Sequence, residues 1–578
     1  MTTAHSRRGG RAVGMAGLVG GLVLGLLAAA GGPRAATAQD EKKGAPKPPS
    51  LDHKLVGAAV CQECHNREKL ATAPNDPDSL PVLYKQTQGN QFIRLWENAV
   101  WQAHDLHSMA YKNLLTKETV KGKDVPNATA ERMEKNLRRS RGDEKYIAAN
   151  DAQCLACHAS AKKAHTDKDP LKRADFITID GVGCEMCHGL GSGYQQKHQE
   201  SELLDNPEPE GPQRLVPWRE WAPAAKKEWG LIDLRDHVTA TNQCASCHIG
   251  NLADGRFVTH EMYAAGHPPL PPLDLMAYSR EQPRHWGLPS ELPFFDKLLK
   301  RDAKKAETVF HVRGGESHTV RRFVESTIAG LAASAVLTGQ LAEQSKDVGL
   351  DFAAFDCASC HHNLKYPSDR QERGYLGVAG RPLFRPANFA LSKAVLKHAA
   401  TLDKDVQTSY DALLATEKQL LESFKQKSLG DNEKVIKATA GIKQWADQTV
   451  AKLSKVKYDD AVAKSLLADL IALGQQPIAD PEVAQLYLWG VETLVLAGVD
   501  TKTVTELPKP LANLGTQLKP YVVTRLRDDN RYPFEVKPGG NGPKMSAVDA
   551  RIGERMDVFN NFKFGVFKKA FEEFPLGK

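Results

Sequence analysis

The feature that most constrains this chain is a short cysteine pattern that occurs five times. Each copy reads Cys-x-x-Cys-His, and the copies together contain all ten cysteines of the 578 residues. Two thiols with this spacing span the two vinyl groups of a porphyrin, and the next histidine then lies under the iron. The pattern predicts five covalently attached haem c groups, each with iron. Motifs 1 to 5 comprise, in chain order, Cys61, Cys64 and His65; Cys154, Cys157 and His158; Cys184, Cys187 and His188; Cys244, Cys247 and His248; and Cys357, Cys360 and His361.

Other uses of cysteine fit this pattern poorly. A structural zinc site needs four ligands, commonly from two Cys-x-x-Cys arms, whereas these arms are separated by 88, 25, 55 and 108 residues. A thioredoxin-like redox pair would occur once, beside a βαβ pattern. A disulfide framework would not repeat a two-residue spacing. Haem attachment therefore remains the interpretation of all five motifs.

The N-terminus is typical of an exported protein. Arg7, Arg8 and Arg11 precede an uncharged apolar run, and Ala36-Thr37-Ala38 resembles a cleavage site. Residues 1–38 are thus a predicted signal peptide, with a mature start at Gln39. Because bacteria attach haem covalently outside the cytoplasm, we expect a periplasmic location. An uncleaved apolar run of about 19 residues would anchor the protein, and membrane contact is expected only in that case.

The net charge argues against a nucleic-acid partner. The formal charge is +7, and the predicted signal peptide holds four arginines and no acidic residue, so the mature chain carries +3. Each ferric haem with two histidine ligands adds about −1, which brings the loaded protein to roughly −2. A basic stripe that would track a phosphate backbone is not indicated.

Composition divides the mature chain into three parts. Residues 39–50 are a proline-containing linker, and residues 51–385 form a predicted pentahaem cytochrome c domain with long irregular loops. Residues 386–578 lack cysteine and show helical periodicity. Asp480-Pro481 reads as a helix start there, and the apolar residues between Val435 and Leu453 fall close to one helical face. The expected fold class is mainly α, with a haem-free C-terminal helical region used for packing or for association into a homo-oligomer.

Several segments between residues 51 and 381 share a pattern with known multihaem cytochromes. They are Trp101, His107 to Ala110, Gly181 to Gly189, Tyr194, His198, Cys244 to Gly250, His260 to Pro268 and Cys357 to Leu364. In these segments the chain resembles the multihaem cytochrome c-554 family. That family's type protein has four haem motifs rather than five, so its haem arrangement cannot be transferred whole. The resemblance implies stacked haems and a second histidine ligand on most irons.

The second axial ligand of each iron decides whether the haem is closed or open to small molecules. The resemblance implies His107 and His198 as first choices for this position, followed by His267 and His260. His362 directly follows a proximal histidine, and neighbouring histidines of this kind serve two adjacent haems. Met109 and Met262 are alternative sulfur ligands. The remaining histidines, among them His285, are a reserve expected at the surface or in packing.

The predicted function is electron transfer between extracytoplasmic redox proteins or to a membrane respiratory complex. A carrier is favoured over an enzyme, because pentahaem nitrite reductases attach the catalytic haem through a lysine-ended motif, and all five motifs here end in histidine. Two alternatives stay open. One is an oxidoreductase of hydroxylamine, nitrite or nitric oxide with one five-coordinate haem. The other is an electron-transfer subunit of a larger respiratory complex.

Overall fold

Helices form most of the regular structure in the part of the chain that the computed structural model describes. This part comprises residues 53–66, 97–204, 214–361, 377–498 and 564–574, with short gaps at 121, 164, 167, 200, 205–213, 290–291, 346–348, 379 and 479, together with Tyr366. The predicted signal peptide, residues 1–38, and the linker, residues 39–50, lie outside these ranges. No helix within these ranges is long and apolar enough to cross a membrane.

Short helices joined by irregular segments make up the motif-bearing region. Aspartates begin several of them, as when the Asp236 side chain accepts a hydrogen bond from the backbone N–H of Thr239. The helices are α1 Ala58–His65, α2 Glu97–His104, α3 Ala128–Arg141, α4 Ala152–His158, α5 Glu185–His188, α6 Gly191–Tyr194, α7 Pro223–Glu228, α8 His237–His248, α9 His260–Ala265, α10 Leu275–Glu281, α11 Pro293–Arg301, α12 Ala303–Phe310 and α13 His318–Gln344.

Strands are few and short among the described residues. They form two-stranded antiparallel sheets, each built from neighbouring parts of the chain. This architecture confirms the predicted mainly α fold class with long irregular connections. The paired strands are β1 Lys117–Val120 with β2 Lys123–Pro126, β3 Ser160–Ala161 with β4 Phe176–Ile177, and β5 Ser201–Leu204 with β6 Arg214–Pro217.

Longer amphipathic helices follow residue 385, as the periodicity predicted. Asp480 begins one of them as expected, because its carboxylate accepts a hydrogen bond from the backbone N–H of Val483 at 2.9 Å. Within the described residues this region contains α14 Ala387–Leu402, α15 Lys404–Gln426, α16 Asn432–Thr439, α17 Ile442–Leu453, α18 Asp460–Gly474, α19 Pro481–Leu496 and α20 Phe564–Glu572.

The apolar residues between Val435 and Leu453 lie on two helices rather than on one continuous face. The first helix, α16, ends before Ala440, and α17 begins after Gly441. Gly441 has a φ of +76°, a conformation that glycine adopts without steric cost. The apolar residues before and after Gly441 keep nearly the same helical spacing, which suggests one helix. The spacing alone therefore did not reveal the end of the first helix.

The main hydrophobic core crosses the predicted domain boundary at residue 385. Helix α13 lies at its centre and packs against α8 and α10 on one side of the boundary and against α14, α16, α17 and α19 on the other. Phe323, Ile328 and Leu331 of α13 are fully buried in this core. The C-terminal helices therefore share their apolar interior with the motif-bearing region.

We expect Leu331→Ala to lower the free energy of unfolding by about 2–5 kcal/mol, because it leaves a cavity in this shared core. The matched control is Leu402→Ala, whose side chain is 44% exposed at the end of α14; its effect should stay within about 0.5 kcal/mol. Urea unfolding of the haem-loaded protein, followed by helical circular dichroism, measures both. Equal losses would contradict the central position of α13.

Candidate haem sites

Each cysteine motif lies on a helical turn. Motifs 1 and 2 end α1 and α4, motif 3 spans α5, motif 4 ends α8, and motif 5 begins with the 3₁₀ turn Cys357–Ser359. In a helix, residues three and four positions apart share a face. The turn therefore brings both thiols and the histidine of a motif to one side. None of the ten cysteines, all of which lie in the described residues, forms a disulfide bond.

Each motif histidine faces a second histidine from a distant part of the chain. A metal–imidazole bond is about 2 Å long and the bonded nitrogen lies about 1 Å from its ring centroid, so imidazoles on opposite sides of one metal have centroids about 6 Å apart. The observed centroid distances match this spacing. They are 6.2 Å for His65 and His198, 6.4 Å for His158 and His267, 6.4 Å for His188 and His285, 6.1 Å for His248 and His107, and 6.5 Å for His361 and His260.

Hydrogen bonds at Nδ1 orient many of these rings. Such a bond fixes the tautomer and leaves Nε2 for a metal. Backbone carbonyl oxygens bind Nδ1 of His158, His198 and His267, each at 2.8 Å. Carboxylates bind two others: Glu97 contacts Nδ1 of His65 at 3.0 Å, and Asp105 contacts Nδ1 of His107 at 2.9 Å.

Burial keeps several of the rings neutral, which is the form that binds metals. Burial lowers the pKa of His188 and of His267 to about 4. It lowers the pKa of His248 to about 3. The Asp105 carboxyl behaves differently: burial raises its pKa, but the charge and hydrogen bond of His107 outweigh this and hold the value at about 2. Asp105 is therefore an anion behind His107.

Glycines allow the segment that carries His107 to approach motif 3 closely. The backbone N–H of Val182 donates to the carbonyl oxygen of His107 at 2.9 Å. Gly181 has a φ of +56°, and a Cβ atom there would lie 2.6 Å from that same oxygen. Only a residue without a side chain fits this position.

Four of the five histidines proposed as second ligands from the sequence face a motif histidine. These are His107, His198, His260 and His267, whereas His362 lies outside the described residues. His285, expected at the surface or in packing, faces His188 instead. It lies in the irregular segment after α10, where Gln282 donates to Asp105 at 2.9 Å. No local sequence pattern identifies His285 as the partner of His188. The sequence indicated only that more histidines are present than five second ligands require.

Contacts between motifs give them an order in space. The side chain of Cys61 in motif 1 lies beside that of Cys184 in motif 3, and the side chain of Cys157 in motif 2 lies beside that of Cys247 in motif 4. Burial raises the pKa of Cys187 in motif 3 to about 12, and the thiols of motif 4 raise it as well. Motif 3 thus lies next to motif 1 and to motif 4, and motif 4 lies next to motif 2.

Motif 5 adjoins His267, the histidine that faces motif 2. Tyr263 packs its ring against His267 at a centroid distance of 5.9 Å. Burial raises the pKa of Tyr263 to about 12, and the nearby thiol of Cys357 in motif 5 raises it as well. The short helix α9 therefore lies between motifs 2 and 5. His260, at its start, faces motif 5, and His267, just beyond its end, faces motif 2.

Comparison with known proteins finds a family match for part of the chain. Residues 97–189 match the family model of cytochrome c554 and c-prime. No curated protein matches the chain. No solved structure matches it either. The matched segment contains motifs 2 and 3 and His107, and over this segment the chain resembles a c-type cytochrome of electron transfer, a family with covalently bound haem c.

Proposed function

We propose that this chain is an exported carrier of electrons with five covalent haem c groups, each iron held between two histidines. The observation that carries the proposal is the repeated spacing of 6.1–6.5 Å between a motif histidine and a distant one. That spacing fits two axial ligands on one iron, and it recurs at every motif. The cysteines of each turn supply the two thioether bonds.

The haem iron supplies one-electron chemistry by cycling between the ferric and ferrous states. The residues of the chain hold, orient and space the irons. Hydrogen bonds at Nδ1 fix the ligand rings, and the carboxylates of Glu97 and Asp105 make His65 and His107 stronger electron donors than a carbonyl partner would. Two sites are therefore expected to favour the ferric state more than the others.

The contacts between motifs support the order 1, 3, 4, 2, 5 along the molecule. Thiol contacts link motifs 1 and 3 and motifs 2 and 4, and Tyr263 links motifs 2 and 5. The order differs from the sequence: among motifs that are consecutive in the chain, motifs 3 and 4 are neighbours in this order, whereas motifs 1 and 2, 2 and 3, and 4 and 5 are not. With this order each iron has a partner close by, and rapid transfer needs no moving part.

The histidine facing each motif favours a carrier over an enzyme. The two histidines of each pair would hold an iron from both sides, which would leave no place on it for nitrite, hydroxylamine or nitric oxide. A carrier also needs partners, and we propose extracytoplasmic redox proteins or a membrane respiratory complex. Periplasmic location follows from the predicted signal peptide, residues 1–38, and from the site of haem attachment in bacteria.

We expect the mature protein to begin at Gln39 and to carry five haem masses. Intact-mass spectrometry of protein purified from a host with a haem-attachment system measures both values. As a control, Cys244→Ser with Cys247→Ser removes both thioether bonds of motif 4 and should reduce the count to four. A wild-type count of four or fewer in fully matured protein would contradict the proposal.

We expect His285→Ala to convert one haem from low spin to high spin, because the iron bound to His188 loses its second ligand. Low-temperature electron paramagnetic resonance of the oxidised protein measures this change with the haem count unchanged. His165→Ala is the matched control, since its Nδ1 lies 3.2 Å from the carbonyl oxygen of Ala253 at the surface. An unaltered His285→Ala spectrum would remove that residue as a ligand.

We expect Asp105→Asn to raise the reduction potential of one haem, since a neutral amide pulls less on the Nδ1 proton of His107 and the ferric state loses stabilisation. Spectroelectrochemical titration resolves this shift. Asp469→Asn is the control: Asp469, whose side chain is more exposed than that of Asp105, contacts Nδ1 of His398 at 2.7 Å, and His398 faces Ser465 rather than a motif histidine. A shift of equal size in both variants would show that the effect is not transmitted through a ligand.

A further inference from the structure

A buried arginine joins two of the cysteine motifs. Nε of Arg256 donates to the carbonyl oxygen of Ala156 at 2.9 Å, and its Nη1 donates to Oγ of Ser246 at 2.6 Å. Ala156 lies between the two cysteines of motif 2, and Ser246 lies between those of motif 4. Arg256 itself is only 9% exposed. One planar guanidinium group therefore connects the attachment turn of motif 2 to that of motif 4.

The turn that carries Arg256 is closed by its own hydrogen bonds. The backbone N–H of Asn251 donates to the carbonyl oxygen of Arg256 at 2.7 Å, and the N–H of Arg256 donates back to the carbonyl oxygen of Asn251 at 2.9 Å. Gly255 has a φ of +68° within this turn, a conformation that favours glycine. The turn follows the end of α8, so it brings Arg256 back against the motif that precedes it.

The hydroxyl group of Ser246 is arranged to accept from Arg256. Its Oγ donates to the carbonyl oxygen of Gln243 at 2.9 Å, which uses the hydroxyl proton and leaves lone pairs for Nη1 of Arg256. Ser246 and Ala156 are both buried. Since a buried acceptor that loses its donor is costly, Arg256 holds the two turns in a fixed relation.

The positive charge of Arg256 is only partly balanced. Arginine stays protonated at neutral pH even where it is buried. Its ion-pair partner Asp254 lies 3.6 Å from Nη1 and has a side chain that is 45% exposed, so water weakens the attraction. The same charge interacts with the thiols of three motifs, most strongly with Cys247, then with Cys157 and then with Cys187.

A positive charge at this place would act on two neighbouring irons. It stabilises the ferrous state relative to the ferric state, which carries one more positive charge, and burial leaves this interaction little screened. The side chains of Cys157 and Cys247 lie beside each other, so the haems of motifs 2 and 4 would attach next to Arg256. At motif 4 the effect opposes that of Asp105, which contacts His107.

We propose that Arg256 is a positioning residue for electron transfer between the haems of motifs 2 and 4, which holds their attachment turns together and raises both reduction potentials. The inference rests on the proposed haem sites. Because the charge acts more strongly on motif 4 than on motif 2, it offsets Asp105 and brings the two neighbouring haems closer in potential. An electron then passes between them in either direction with little change in free energy.

A redox titration of the haem-loaded protein, followed by low-temperature electron paramagnetic resonance, tests the charge. We expect Arg256→Gln to shift two haems to lower potential, with the larger shift at motif 4. Asp105→Asn identifies the motif 4 haem, because it should move that haem alone and in the opposite direction. Arg313→Gln is the matched control: Arg313 also binds a backbone carbonyl oxygen and a carboxylate, but these belong to Ser454 and Glu307, outside the motifs. It should leave all potentials unchanged.

Arg256→Lys separates the charge from the connection between the turns. Lysine keeps the positive charge but lacks the planar fork that reaches two acceptors at once. We expect potentials close to those of the wild type, together with a weaker excitonic splitting in the Soret circular dichroism, because the turns of motifs 2 and 4 are held less closely. A splitting equal to that of the wild type would contradict the positioning role.

Asp254→Asn tests the charge without disturbing the buried contacts, because the Asp254 side chain is 45% exposed. Removing this carboxylate should shift the same two haems to higher potential, and it decides the outcome if Arg256→Gln loses haem or fails to fold. Intact mass and spin state are measured on the same samples. A wild-type haem count below five would contradict the proposed function. Five low-spin haems whose potentials do not move in either variant, or move equally at all sites, would overturn the role of Arg256 alone.

Discussion

The pairing of each motif histidine with a distant histidine is the constraint on which the structure depends. The two members of a pair lie between 97 and 141 positions apart in the sequence. Bringing them within 6.5 Å requires the chain to return repeatedly to the same place. Closing such loops costs entropy that grows only slowly with length, so long irregular connections are tolerated. Five such closures account for the short helices and scarce strands of the motif-bearing region.

The helices after residue 385 complete this arrangement. Arg385 forms an ion pair with Glu482 at the start of α19 and donates to the carbonyl oxygen of Leu270 at 2.9 Å. Both charged groups influence the pKa of Cys357 in motif 5 and of Tyr263. The helices after residue 385 thus contribute to the surroundings of motif 5 and share the hydrophobic core around α13. Its cysteine-free composition does not make it a separate structural unit.

Electrostatics distinguishes sites that the sequence motifs make look alike. Each motif has the same five-residue frame, yet two of the paired histidine rings contact carboxylates and three contact carbonyl oxygens. With His107 on a haem iron, as proposed, the buried carboxylate of Asp105 would change the electron donation of that ring without touching the iron. Glu325 contacts Nδ1 of His237 in the same way, although His237 faces His318 rather than a motif histidine. A hydrogen bond between a carboxylate and the Nδ1 atom of a histidine therefore occurs at His65, His107 and His237.

The sequence by itself determined what is local. The five-residue motifs indicated the haem attachment points and the first ligand of each, since that chemistry is contained within one helical turn. Caps and periodicity predicted the helices after residue 385, including the start at Asp480. The resemblance pointed to four of the second-ligand candidates. The break at Gly441, the position of His285, the order of the motifs and the meeting of His237 with His318 were decided by tertiary structure. Each depends on segments far apart in the chain, and no local pattern of residues records which distant segments will meet.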